Sequence, residues 1–281
     1  MEAAHAGDGE AAHFVALMTA SDLVQTDRWT YALAYLGRAS KAGHVLARQT
    51  LAFLAGEDMA DIAGLSHADL HRLHDRIDLA AWLTTPAMRV LSEAPQICVI
   101  ENLAPPRLRD WIIRRARPRM QRAKIYDGQG SGASAAERSN SMAGFDFPDR
   151  DLAMMVLGEN IARITGFALA EMESPIVLHY AVGEEFKPHH DYFDPALPAF
   201  ADEIRRNGQR PATLLLYLND GYEGGETDFP KLNFRFRGQP GDALLFWNVT
   251  DGVPDPRTLH AGLAPTRGEK WLFSQWLRRR A

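Results

Sequence analysis

The chain has 281 residues, 46% of them hydrophobic, enough to build a sizeable core in one large or two modest domains. A formal net charge of −5 with 24% charged residues gives no global case for a nucleic-acid binder. A single cysteine, Cys98, excludes an intramolecular disulfide, and within Ile97-Cys98-Val99-Ile100 it reads as a buried, inert thiol.

Met1 to His5 shows no basic region followed by an apolar run, and no stretch is long and apolar enough to span a bilayer. A soluble, reducing, cytoplasmic setting is the expectation, with no membrane partner.

The first ninety or so residues are rich in Ala and Leu. Trp29, Ala32, Leu33, Leu36 and Ala39 fall on one helical face, and Gly43 ends that helix. Ala6-Gly7-Asp8-Gly9-Glu10-Ala11 is echoed by Ala42-Gly43-His44-Val45-Leu46-Ala47 at the spacing of helix-pair repeats. Such repeats are expected to pack on a neighbouring domain or to mediate association, a homodimer included. Ser66 reads as the N-cap of a helix with Asp69 in its first turn. His67, His71 and His74 then share a face, read as solvated rather than metal-binding. Leu79, Trp82 and Leu83 continue a helical face that Thr84-Thr85-Pro86 breaks. The expected division is residues 1–92, an α-helical repeat-like region, and 93–281, a catalytic domain.

That domain is expected to begin near Ala94-Pro95 with a strand over Ile97 to Ile100. Pro105-Pro106 opens a helix through Trp111, Ile112 and Ile113. Arg107, Arg109, Arg114, Arg115, Arg117, Arg119, Arg122 and Lys124 crowd this region. Without interleaved aromatics they read as a solvated face or an acidic-partner patch rather than a nucleic-acid site. Residues 127–144 form a Gly/Ser-rich loop suited to a lid. Leu152 to Thr165 reads as a helix stopped by Gly166, with Leu152, Met155, Val156 and Ile164 in the core.

After Ser174 come many short β segments split by Gly-rich turns, the pattern of an all-β barrel or jelly roll. With the preceding helices the fold class is α+β. Ile176 to Val182 reads as a buried strand, Gly183-Glu184-Glu185 as a turn, and Phe186 to Phe193 as the next strand. Alternation puts His189 and Asp191 on one face and His190 on the other. With the distant His260 they make two histidines and one carboxylate, the set that holds non-haem Fe(II) by one face and leaves other positions open. Residues 193–207, with Pro195 and Pro198, read as a second mobile segment, and two loops beside one cavity suggest closure over substrate. Lys270, placed on a strand neighbouring that of His260, reads equally as a point charge for a dicarboxylate cosubstrate or as a solvated edge lysine.

These residues resemble the prolyl 4-hydroxylase family of 2-oxoglutarate/Fe(II) dioxygenases, over roughly Ala94 to Trp276. The stretch from Tyr180 through Gly183, Phe186, His189 and Asp191 to Phe193 is similar to the family's ligand strand. Arg210-Pro211-Ala212-Thr213 to Asp220, Gly224-Gly225-Glu226-Thr227-Asp228-Phe229-Pro230, Gly241-Asp242-Ala243-Leu244-Leu245-Phe246, and His260-Ala261-Gly262 to Lys270-Trp271 and Trp276 follow in family order. Phe186 stands where the family has Tyr, and Arg138-Ser139-Asn140 where it has Arg-Thr-Ser. The resemblance implies a double-stranded β-helix, with Fe(II) on His189, Asp191 and His260, and 2-oxoglutarate, O2 and ascorbate as co-reactants. It implies Lys270, Tyr217 and Thr227 at the 2-oxoglutarate end, Arg138 toward substrate, and Tyr180 and Trp276 as catalytic cavity residues or barrel core. A prolyl residue of a peptide or protein is the implied substrate. A free amino acid or other small molecule competes, because the two departures lie near the cavity. Two other classes stand beside it. One is a metal-binding interaction scaffold, against which an intact triad and Lys270 argue. The other is a zinc hydrolase, for which no general-base Glu sits at a motif spacing.

Overall fold

The computed structural model describes residues 2–22, 26–57, 62, 64–123 and 138–280. Contacts divide the chain into two compact units: Met1–Thr85 with Asp146–Ala170, and Pro86–Phe145 with Glu171–Ala281. The helices are α1 (Glu2–His5), α2 (Gly9–Ser21), α3 (Arg28–Lys41), α4 (Val45–Leu54), α5 (His67–Asp75), α6 (Leu79–Trp82), α7 (Pro106–Ala116), α8 (Leu152–Thr165) and α9 (Pro198–Asn207). Among the described residues no helix is long and apolar enough to cross a membrane.

The first unit is helical. Gly7 and Gly43 both take left-handed backbone, each directly before a helix cap: Asp8 accepts from Ala11 N and His44 Nδ1 from Ala47 N. The two echoing segments thus fold into the same turn and cap. Ser66 and Asp69 form a capping box for α5, as their spacing suggests. Of the histidines of α5, His71 pairs with Asp75 at 2.8 Å and His74 with the same carboxylate at 3.4 Å. Helix α8 belongs to this unit, packed on α2 and α4. Its buried Glu159 takes Arg28 as partner at 2.6 Å, and its Asn160 donates to the Trp82 carbonyl at 2.9 Å.

The strands are β1 (Met88–Glu93), β2 (Gln96–Ile100), β3 (Gln121–Arg122), β4 (Ser141–Gly144), β5 (Ile176–Tyr180), β6 (Phe186–His189), β7 (Gln209–Tyr217), β8 (Glu223–Gly224), β9 (Thr227–Phe229), β10 (Phe234–Phe236), β11 (Ala243–Trp247), β12 (Val249–Thr250), β13 (Val253–Pro254), β14 (His260–Gly262), β15 (Pro265–Arg267) and β16 (Lys270–Arg279). An antiparallel sheet runs β1-β2-β11-β7-β16-β5-β4-β3, and a four-stranded one β10-β9-β14-β6. Ile97, Leu178, Tyr180, Leu215, Tyr217, Leu244, Phe246 and Leu272 of the large sheet meet Phe229 of the small one in a single core. This is the expected jelly-roll sandwich. Its large-sheet strands read as apolar runs because they are covered on both faces.

Several expectations are corrected. The second unit begins at Pro86, not residue 93. Ala94-Pro95 is the turn of the β1–β2 hairpin, where Glu93 pairs with Gln96. Strand β1 is mostly exposed, so it carries no alternating apolar signal. Residues 141–144 form β4 rather than loop; 124–137 of the Gly/Ser-rich stretch, and Lys124 of the basic cluster, lie outside the described residues. Residues 198–207 form α9, with Pro198 at its first turn. The basic cluster does have aromatic neighbours, but they are its own domain's. Arg114 stacks on Trp111, Arg117 on Trp271 and Arg119 on Phe145, while Arg122 pairs with Glu184.

Candidate metal centre and cosubstrate pocket

Strand β6 ends at His189, and β14 starts at His260. The two residues are direct partners across the antiparallel ladder. His189 Nε2 lies 3.6 Å from Asp191 Oδ1, and His260 Nε2 3.5 Å from Asp191 Oδ2. One ligand atom from each of the three falls within 4.8 Å of the others, the only such cluster among the described residues. His190 meets the Pro256 carbonyl at 3.1 Å; the strand expected to run to Phe193 stops at His189, and Asp191 comes from the bend that follows.

The donor set fits a divalent metal. His189 Nδ1 lies 2.8 Å from the Lys187 carbonyl, and His260 Nδ1 3.0 Å from that of Thr258. A carbonyl only accepts, so each Nδ1 carries the hydrogen and each Nε2 presents a lone pair to the centre. Burial, reinforced by His260, pushes His189 down to about 3, so the ring is neutral at physiological pH. Burial alone would raise Asp191, but His260, His189 and the Thr213 hydrogen bond outweigh it and hold the group below the usual carboxylate range. A neutral His189 and an ionised Asp191 are protonation states suited to a metal. Phe186 stacks on His189 at 3.5 Å, and Arg138 lies over the same Phe186 ring at 4.3 Å. The ring at this departure position therefore supports a ligand.

Lys270 is not on a strand adjacent to that of His260. It opens β16 in the facing sheet, paired with Tyr180. It is fully buried, which removes the edge-lysine alternative. Its Nζ donates to the Gly225 carbonyl at 2.6 Å and lies 5.1 Å and 5.7 Å from the rings of Tyr180 and Tyr217. No carboxylate pairs with it among the described residues. Burial holds it down to about 7. Glu226 pulls it up and Arg237 pushes it down, with burial the largest influence. Tyr217 and Thr227 share a hydrogen bond of 2.7 Å beside it. Burial lifts both Tyr217 and Tyr180, the latter to about 12, so both stay hydroxyl donors. Gly225 has left-handed backbone, and a Cβ there would sit 3.1 Å from the Tyr222 ring and 3.3 Å from Lys270 Cδ.

Tyr180, Thr227, the triad and Trp276 line a narrow inner cavity. Arg138, Phe186, His189, Asp191 and Trp276 also wall an outer cavity of about 550 Å³, to which His190, Tyr192, Phe193, Phe200 and Arg210 contribute among others. Lys270 and Tyr217 line neither cavity; Tyr217 reaches the inner one through its bond to Thr227. Sequence reasoning carried Arg210, Thr213 and Gly225 only as members of motifs, with no role, and did not single out Asn248. Thr213 could have been found, since it shares the inward face of β7 with Leu215 and Tyr217.

A jelly-roll sandwich with two histidines, one carboxylate and a buried lysine defines a non-haem iron oxygenase site taking a dicarboxylate. The family model for the 2OG-Fe(II) oxygenase superfamily matches residues 175–278. The chain is 33% identical over 214 residues to probable prolyl 4-hydroxylase 10 of Arabidopsis thaliana, covering 68% of this chain and 71% of the relative. It is 34% identical over 208 residues to prolyl 4-hydroxylase 1 of the same plant, covering 68% and 72%. The fold is shared with a viral collagen prolyl hydroxylase from Paramecium bursaria chlorella virus-1, solved as a 2-oxoglutarate complex, at TM-score 0.50 and 24% identity over 65% of this chain and 95% of that one. The chain belongs to the prolyl 4-hydroxylase family of 2-oxoglutarate/Fe(II) oxygenases. It is an oxidoreductase using Fe(II), 2-oxoglutarate and O2.

Proposed function

We propose that the protein hydroxylates a prolyl residue within a peptide or protein, with Fe(II) held by His189, Asp191 and His260. One observation carries the peptide reading. Arg138 Nη2 and Trp276 Nε1 are buried donors on residues that wall the outer cavity, and neither has a hydrogen-bond partner among the described residues. Buried donors are seldom left unmet. Backbone carbonyls of an extended chain would satisfy them, while the aromatic walls suit a pyrrolidine ring. The relatives' names point the same way.

With its cofactors in place, the site couples decarboxylation of 2-oxoglutarate to succinate with insertion of oxygen into an unactivated C–H bond. The chain's own residues bind, orient and exclude water. The triad would hold the metal. Lys270 neutralises the far carboxylate, and the hydroxyls of Tyr217 and Thr227 orient it. Tyr180 and Trp276 shape the space between cosubstrate and substrate, and Arg138 fixes the substrate chain. Ascorbate as an accessory reductant belongs to the same proposal. So does a supporting or partner-binding role for the N-terminal helices, read as helix-pair repeats on their matching turns at Gly7 and Gly43.

The test is mass spectrometry of proline-containing peptides and of free amino acids after incubation with enzyme, Fe(II), 2-oxoglutarate and O2. A gain of one oxygen on a peptide proline is expected. Product confined to free small molecules would overturn the peptide reading and leave the oxygenase standing.

A further inference from the structure

Asp191 is not held by the histidines alone. Thr213 Oγ1 donates to Asp191 Oδ2 at 2.7 Å, and Asn248 Nδ2 donates to Thr213 Oγ1 at 2.9 Å. Thr213 and Asn248 are fully buried and Asp191 nearly so, which keeps bulk water from competing. Asn248 sits just past the end of β11 and is fixed at both backbone ends: its N–H donates to Pro211 O at 2.7 Å, and its carbonyl accepts from Asp255 N at 2.8 Å.

From this we infer that Thr213 and Asn248 are positioning residues for the metal, forming a one-way relay that orients the Asp191 carboxylate. The inference rests on reading the triad as the metal seat. A threonine hydroxyl has one hydrogen to give. If Asn248 turned its amide oxygen toward Thr213, the two acceptors would compete for that hydrogen. With the NH2 end facing Thr213, the hydrogen is committed to Asp191. The relay engages Oδ2 and fixes rotation of the carboxylate, so that Oδ1 stays aimed beside His189. Charge-assisted hydrogen bonds of this kind are among the stronger ones in a dry site.

The relay is tested on the full-length protein by Mn(II) binding, followed by electron paramagnetic resonance, and by the visible spectrum of the Co(II) form. Thr213→Val keeps the shape and removes the hydroxyl. It should weaken Mn(II) by about 10–100-fold, the usual effect of losing an outer partner, and shift the Co(II) bands. Thr213→Ser restores the hydroxyl and should restore both readouts. Asn248→Asp replaces the donor by an acceptor that draws the hydrogen off Asp191, and should mimic Thr213→Val. Wild-type Mn(II) affinity and spectrum in Thr213→Val would overturn the relay; should that variant not fold, the same result in Asn248→Asp does so. If His260→Ala binds Mn(II) as well as wild type, the triad reading itself fails, a result distinct from failure of the relay.

Discussion

At His189 and His260 one local device recurs. Each ring gives its Nδ1 hydrogen to the carbonyl two residues earlier, and each Nε2 is left free for the centre. His190, one residue away, makes its contact with Pro256 instead. Lys270 is the residue with the clearest pH signature. Burial holds it down to about 7, against an ordinary value of 10.5. In the free protein the unfolded state therefore binds the extra proton between those values, and stability rises as pH rises through that window. A carboxylate beside Lys270 restores its proton. Above pH 7, binding of 2-oxoglutarate takes up a proton, and affinity should fall by up to about tenfold per pH unit while staying flat below. Calorimetry in buffers of different ionisation enthalpy measures this uptake. Affinity independent of pH from 6 to 9 would remove Lys270 as the anchor, as would tight binding by Lys270→Met.

Beside the site, element joins element through Glu173. It accepts from Arg210 and Arg278, each at 2.5 Å, and Arg278 also holds Glu203 of α9 at 2.8 Å. Arg210 in turn lies over Trp276 at 4.0 Å and Phe193 at 4.6 Å. Glu173→Ala leaves the mostly buried Arg210 without its carboxylate and Arg278 with Glu203 as its remaining one, and should cost about 2–4 kcal/mol in a urea titration. A loss below about 0.5 kcal/mol would mean the network is screened like a surface pair. The elements themselves were unevenly legible. Period-two alternation picked out His189 and Asp191, although the strand stops at His189 and Asp191 sits in the bend after it; the apolar runs of β5, β7 and β16 announced the large sheet. Helix α9 stayed hidden because Pro195 and Pro198 read as loop, although Pro198 fits a first turn. Asn248 lies just beyond a strand end, where no periodicity applies. Only the fold brings it to Thr213.

Across the whole molecule, sequence order misleads about one helix. Helix α8 lies inside the stretch assigned to the catalytic domain, yet its contacts belong to the N-terminal helices. Its apolar pattern was legible as core, but no local signal says whose core. A chain starting at Pro86 would strip Arg28 from buried Glu159 and the Trp82 carbonyl from Asn160. Such a truncation should lower the thermal midpoint and expose apolar surface, seen as dye binding and light scattering. A monodisperse truncated protein melting like the full chain would show that α8 does not depend on that unit.

The central claim is that His189, Asp191 and His260 seat the iron of a 2-oxoglutarate oxygenase. Its most direct test is succinate formed from 2-oxoglutarate under O2 with added Fe(II) and a proline-rich peptide. The full chain should produce succinate. His189→Ala, Asp191→Ala and His260→Ala should each lose more than about 100-fold, beyond what loss of an outer partner causes, while His190→Ala stays within about threefold of wild type. Succinate production that survives in His189→Ala and collapses in His190→Ala would contradict the strand geometry on which the site rests.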